Sequence, residues 1–225
     1  MTGDPAQGPP RAAGADQVLT RAVVAFLVAV VPVALAPSTG LDPMLVAAAS
    51  GVAVLVLGVV WPPVPWRPLH AGGVVARYLL FALLWVPLMV GYLWVMRTAG
   101  HPVAPQPMLE QLARDGMSTA TLPAVLGIVV LAPLTEELVF RGYLLGVLLL
   151  ALPPVPAHLL TAAAFGAVHG LPYALPLALV GLCFGWLRHR YGSLLPSMLA
   201  HALHNGLVLG TVMVWPGALD LLYPR

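Results

Sequence analysis

Thr135-Glu136-Glu137-Leu138-Val139-Phe140-Arg141 places two adjacent carboxylates and a guanidinium inside apolar sequence. No charge occurs upstream from Val125 to Leu134, and none downstream from Gly142 to Leu152. A charged side chain at bilayer depth costs at least ~2.5–3.5 kcal/mol, and an intramembrane ionisable residue is by default a functional one. The composition around this stretch decides the fold class. Of 225 residues, 60% are hydrophobic and 8% charged, whereas soluble domains carry roughly 25% charged residues. Such a chain cannot clothe a water-facing surface, so it reads as an all-α, polytopic integral membrane bundle.

All ten basic residues are arginine, and against eight acids, with histidine neutral, the formal charge is +2. It is no nucleic-acid footprint, and no nucleic-acid partner is expected. The single cysteine, Cys183, lies in an apolar helix, forms no internal disulfide and reads as a packing residue. Residues 1–17 are Gly/Pro/Ala-rich and are expected to be a disordered tail. The apolar run behind them lacks a small-residue cleavage site and reads as the first membrane helix.

A span needs about 20 apolar residues. Candidates are 18–36, 43–61, 74–96, 120–152, 157–168, 173–187 and 194–213, which predict seven to eight transmembrane helices. Region 120–152 is long for one span, and Pro133 is expected to break or kink it. A helix starting near Leu134 would hold both acids in its first turn, where the helix dipole favours anions. Residues 97–118 are the most polar internal stretch and suggest a short surface helix around Leu109 and Leu112. The chain thus divides into the tail, an N-terminal set of membrane helices (18–118), a C-terminal membrane core (119–213) and a C-terminal tail (214–225). Trp61, Trp66, Tyr92 and Trp94 fall near span ends, as interfacial belts require, whereas Trp85 is mid-span. If 120–152 crosses once, the basic loops 66–77 and 188–190 share one side and 97–118 lies on the other.

Three polar elements recur on the later helices: Glu136-Glu137-x-x-x-Arg141, Phe165-x-x-x-His169, and His201-x-x-x-Asn205 with the additional His204. Residues four apart share a helix face, so Glu137 can reach Arg141, and a guanidinium can hold a carboxylate through two hydrogen bonds. Glu136 points about 100° away by the helical period and is the carboxylate left free. Read blandly, these groups pin helices together, His169 is an interfacial histidine, and Asn205 seeks an interhelical hydrogen bond. Read together, they suit hydrolysis. A carboxylate kept from water is a stronger general base and could deprotonate a water held against His169. His201 and Asn205 could donate to the oxyanion at a scissile carbonyl, and His204 could stand in for His201. Alternatively Glu136, His169 and His201 could bind a divalent metal such as zinc with one position open for water. The His-Glu-x-x-His metalloprotease helix is absent.

In order and spacing, Glu136-Glu137-Leu138-Val139-Phe140-Arg141, Phe165-Gly166-Ala167-Val168-His169 and His201-Ala202-Leu203-His204-Asn205 resemble the CAAX-processing and bacteriocin-processing family of intramembrane endopeptidases. The resemblance covers about residues 120–210. It implies a helical membrane fold with a catalytic cavity within the bilayer, in a bacterial cytoplasmic membrane, and peptide-bond hydrolysis of a small peptide or lipidated CAAX-type tail. It implies that Glu136 and His169 activate water, that His201 and Asn205 stabilise the oxyanion, and that Glu137, Arg141 and Phe165 support them. In CAAX-processing members the site is expected to open toward the cytosol. Both a metal-dependent and a metal-free, glutamate-activated mechanism are consistent with it. Two other readings use the same residues: a non-catalytic scaffold or immunity-type protein, and a proton-coupled transporter relaying protons through Glu136 and the histidines. The transporter reading lacks the repeated halves such folds show.

Overall fold

The computed structural model describes residues 14–223. Nearly all of them are helical, with no strand among the described residues. The helices are α1 (Ala15–Thr39), α2 (Pro43–Val60), α3 (Ala71–Thr98), α4 (Pro107–Asp115), α5 (Leu122–Ala151), α6 (Pro154–Val168), α7 (Leu171–Tyr191), α8 (Leu195–Val214) and α9 (Gly217–Leu222). Six of these, all but α4, α6 and α9, are long and apolar enough to cross a membrane. By length and composition the expected count of seven to eight is thus not confirmed among the described residues. At 15 residues, α6 extends only about 22 Å at 1.5 Å per residue, short of the ~30 Å hydrocarbon core. Of the expected disordered tail, 1–13 lies outside the described residues, while Ala15 to Gln17 form the first turn of α1. The C-terminal tail is likewise partly ordered, as α9 with Ala218 buried.

The largest departure from expectation is at Pro133. The chain neither breaks nor starts a new helix there; α5 runs on from Leu122 to Ala151. A wide turn over Gly127–Leu131 precedes the proline, and in it the Ala132 N–H reaches back five residues to the Gly127 carbonyl. In that register the carbonyl of Ile128 faces Pro133, which has no N–H to give. A buried carbonyl without a donor is costly, and the Asn205 side chain of α8 fills the gap, donating from Nδ2 to Ile128 O at 2.9 Å. The acids therefore sit in mid-helix, and no helix N-terminus stabilises them.

A second proline is handled the same way. Pro176, inside α7, cannot donate to the Pro172 carbonyl one turn back. Tyr92 of α3 donates to that oxygen instead, at 2.7 Å. Trp85, two turns earlier on the same face of α3, donates its indole N–H to Pro176 O at 3.0 Å. The mid-span tryptophan is thus an interhelical fastening, as the buried indole requires a partner.

α6 and α7 form the closest helix pair. A Cβ on Gly166 would collide with the carbonyl oxygen of Ala174, so only glycine permits this approach. The two basic loops meet at one end of the bundle: Arg77 donates to the Tyr191 hydroxyl at 3.2 Å, and the Arg67 N–H reaches Ser193 Oγ at 3.4 Å. Arg21 lies over the Trp61 ring at the same end. At the opposite end α4 lays Leu112 and Ala113 against Leu209 and Val212 of α8, and the Tyr173 hydroxyl donates to Ala104 O.

Candidate active site

Three helices bring the polar residues to one place, and a fourth packs against them. Glu136, Glu137 and Arg141 come from α5, His169 from the C-terminal end of α6, and His201, His204 and Asn205 from α8. α7 brings Gly181 and Phe184, which the motif reading did not single out.

Glu137 and Arg141 are both fully buried. Arg141 Nη1 donates to Glu137 Oε1 at 2.8 Å, while Nη2 donates to Gly181 O at 3.0 Å. The pair is thus held by one hydrogen bond, not two, because the second arm of the guanidinium is committed to α7. A Cβ at position 181 would come 3.0 Å from Nη2, so the glycine makes room for this contact. Three aromatic faces surround the guanidinium carbon: Phe165 at 4.3 Å, Phe184 at 5.4 Å and Phe140 at 5.9 Å. In a water-free interior these ring faces supply the attraction that solvent otherwise gives a cation.

Glu137 has a second task. Its Oε1 also accepts from His201 Nδ1 at 3.0 Å. A carboxylate can only accept, so Nδ1 carries the proton and Nε2 is turned the other way. Phe184 stacks on the imidazole at 4.7 Å and fixes its plane. The same logic orients His169, whose Nδ1 donates to the Phe165 carbonyl at 2.7 Å.

Both free Nε2 atoms then face the same oxygen. Glu136 Oε2 lies 3.7 Å from His169 Nε2 and 3.8 Å from His201 Nε2. This oxygen is buried and makes no direct hydrogen bond. A carboxylate oxygen and two imidazole nitrogens, each with its other nitrogen already donating, form a convergence of acceptors. What fits between them is a group that donates, such as a water molecule, at separations too long for direct contact. The charged side chains Glu136, Glu137 and Arg141 leave one negative charge in excess, so one proton shared with the imidazoles brings the cluster to neutrality.

Carboxylate and imidazole are donor types that zinc accepts. As placed, however, the described residues contain no group of three such side chains arranged to hold a metal ion. The donor chemistry suits zinc and the spacing does not.

Asn205 and His204 differ from the other site residues. One amide hydrogen of Asn205 is occupied by Ile128 O, leaving the other for a ligand. The ring of His204 is turned toward α3, where its Nδ1 pairs with the Tyr78 hydroxyl at 3.0 Å and Trp85 packs edge-on at 4.8 Å. It therefore does not duplicate His201. Tyr78 escaped motif reading because nothing local marks it, and Trp85 stood out only by its mid-span position; their seven-residue spacing on one face of α3 is the further signal.

A cavity of about 280 Å³ opens from this cluster. Glu136, His169, His201 and Asn205 line it, and so do apolar residues including Met89, Leu177, Val208 and Leu209. Its other end is bounded by Gln106, Met108 and Leu109 of the α4 region, with Tyr173 and Tyr223.

Fold and site together define a polytopic helical membrane protein with a water-sized polar centre at the foot of an apolar cavity. Residues 118–207 match the model of the family described as type II CAAX prenyl endopeptidase Rce1-like. The family is one of CAAX proteases, so the match supports a peptidase. No curated protein and no solved structure matches the chain.

Proposed function

We propose that the protein is an intramembrane endopeptidase that hydrolyses a peptide bond of a small peptide or lipidated tail with a glutamate-activated water. The observation that carries this reading is the convergence of His169 Nε2 and His201 Nε2 on the unpaired Glu136 Oε2 at 3.7 and 3.8 Å. In this mechanism a water sits between Glu136 and His169. Its oxygen attacks the scissile carbonyl carbon while its proton passes to Glu136. The carbonyl oxygen becomes an oxyanion, which accepts from His201 Nε2–H and from the remaining amide hydrogen of Asn205. Glu136 then delivers its proton to the departing amine nitrogen as the C–N bond breaks, and the carboxyl product leaves.

Glu137 makes His201 competent for this. Its carboxylate balances the imidazolium that must exist for Nε2 to donate, and Arg141 holds Glu137 against the ring. The apolar cavity walls favour a substrate with an apolar side chain or lipid beside the scissile bond.

The test is peptide release by detergent-purified protein from plain and prenylated C-terminal peptides, wild type beside Glu136→Gln, with and without a strong chelator. Products from the wild type alone, undiminished by the chelator, are the expected result. Equal release by both proteins would remove Glu136 from the reaction. Loss of release with the chelator would put a metal at the site.

A further inference from the structure

His204 is the imidazole at the site that the proposed reaction does not use, and its surroundings fix which of its nitrogens carries the proton. Its Nδ1 pairs with the Tyr78 hydroxyl at 3.0 Å. Tyr78 is 2% exposed, lies in the hydrophobic core, and has no other hydrogen-bond partner for its hydroxyl among the described residues. If Nδ1–H donated to the hydroxyl oxygen, the Tyr78 O–H would point into that core with nothing to accept it, and a buried donor left unmade is costly. If the hydroxyl donates instead, Nδ1 is the acceptor and no buried donor is orphaned. In a neutral imidazole the other nitrogen then carries the hydrogen. His204 is therefore the Nε2–H tautomer, opposite to His201 and His169, whose Nδ1 atoms donate.

That hydrogen faces the cavity. His204 is among the residues lining it, and its Nε2 is not one of the sealed, unpartnered atoms of the interior. The ring is held in place. Trp85 packs edge-on at 4.8 Å and is itself pinned through its indole N–H to Pro176 O, while Phe184 and Tyr78 meet the imidazole at near right angles. On α8, His204 lies about 60° around the helix from His201, and Asn205 about 40° to the other side. His201 and Asn205 thus serve the α5 side of the cavity, where they contact Glu137 and Ile128. His204 serves the wall that α3 and α7 build from Trp85, Met89, Leu177 and Val180. With the Trp85 indole committed, these four side chains offer no free donor, and His204 adds one among them.

We propose that His204 is a substrate-binding residue: its Nε2–H donates to a backbone carbonyl of the peptide other than the scissile one, while the side chain next to that carbonyl lies on the apolar wall. The ligand chemistry is a neutral peptide carbonyl. A neutral N–H among apolar side chains matches a neutral acceptor, whereas a carboxylate there would add a negative charge to a cavity that already holds Glu136. This proposal rests on the peptidase reading for the word substrate, but the tautomer does not. A contact to a carbonyl that does not react is made equally in the ground state and the transition state, so its loss raises KM and spares kcat. His201 and Asn205, which serve the oxyanion, act on kcat instead.

The experiment has two arms, both on the full chain in detergent. The first reads the tautomer by ring-nitrogen NMR of protein carrying isotope-labelled histidine, with His204→Gln identifying the His204 signals. The expected pattern is a protonated Nε2 and a bare Nδ1, and Tyr78→Phe should shift it toward the other tautomer. A wild-type His204 protonated at Nδ1 alone would overturn the proposal, and this arm needs no activity. The second arm reads KM and kcat on the plain or prenylated C-terminal peptide that the wild type cleaves. His204→Asn keeps a partner for Tyr78 at the Nδ1 position but has no donor toward the cavity. It should raise KM about 3–10-fold, the scale of one neutral hydrogen bond, with kcat little changed. His204→Gln places an amide N–H where Nε2 stood and should bring KM back toward the wild-type value. An unchanged KM in His204→Asn, or a KM raised equally in both variants, would sink this proposal alone, provided that Glu136→Gln abolishes release. Absence of release by the wild type itself would instead count against the peptidase reading and, with it, the substrate role of His204.

Discussion

The two halves of the molecule handle the membrane in opposite ways. In α1 only 6% of the most apolar window is buried in the protein, whereas in α8 the figure is 39%. α1 and α2 offer their side chains to lipid on most faces, and their few buried positions are small or apolar residues such as Ala25, Gly51 and Val54. The α5–α8 half buries Glu137, Arg141, His201 and His204. α3 mediates between them, apolar outward but sending Tyr78, Trp85 and Tyr92 to polar partners on α7 and α8. The difference teaches where specificity of structure resides. Lipid is as apolar as leucine and scarcely distinguishes one apolar face from another, so register is set wherever a polar atom must find one particular partner.

Substitutions can break this contrast or sharpen it. The largest effect is expected at Glu136: its replacement by glutamine should lower peptide release by about 10²–10⁴-fold, the usual range for a general base, with the purified protein's unfolding temperature little changed. Next is Arg141→Ala. It strands the buried Glu137 carboxylate, and breaking a buried pair costs about 3–5 kcal/mol. Thermal unfolding in detergent should show a large loss of stability, and activity should fall with it. A stable, active Arg141→Ala protein would mean that the aromatic and glycine setting of the guanidinium has no structural role.

Asn205 offers a finer test, because it joins stability to the site. Asn205→Ala should cost about 1–3 kcal/mol by leaving Ile128 O without a donor. Adding Pro133→Ala restores a backbone N–H to α5, so Asn205→Ala should cost less in that background. A double-mutant cycle on unfolding free energy reads this coupling. If activity stays low while stability recovers, Asn205 acts on the substrate as well as on the helix. The smallest effect is expected in the lipid-facing half: Val59→Ala, at an exposed position of α2, should shift stability by no more than about 0.5 kcal/mol.

Much of this was legible in the chain itself. Charge scarcity and apolar run lengths place the spans to within a few residues, because the bilayer imposes a length on any helix that crosses it. Spacing by four identifies the Glu137–Arg141 pair and leaves Glu136 free, because helical geometry is local. Pro133 misled for an equally physical reason. A proline ends a helix only if its orphaned carbonyl has no other donor, and the donor here is Asn205, 72 positions further along the chain. The same holds for Pro176 and Tyr92.

By itself, then, the sequence determined the class of protein, the helices and the residues able to do chemistry, since all three follow from composition and short-range periodicity. Only the tertiary structure decided that Glu137 serves two partners at once, that His169 and His201 turn their Nε2 atoms to one oxygen, and that the cavity extends from this cluster to the α4 region. Those outcomes depend on which atoms from distant segments satisfy one another once water is gone, and no local pattern carries that information.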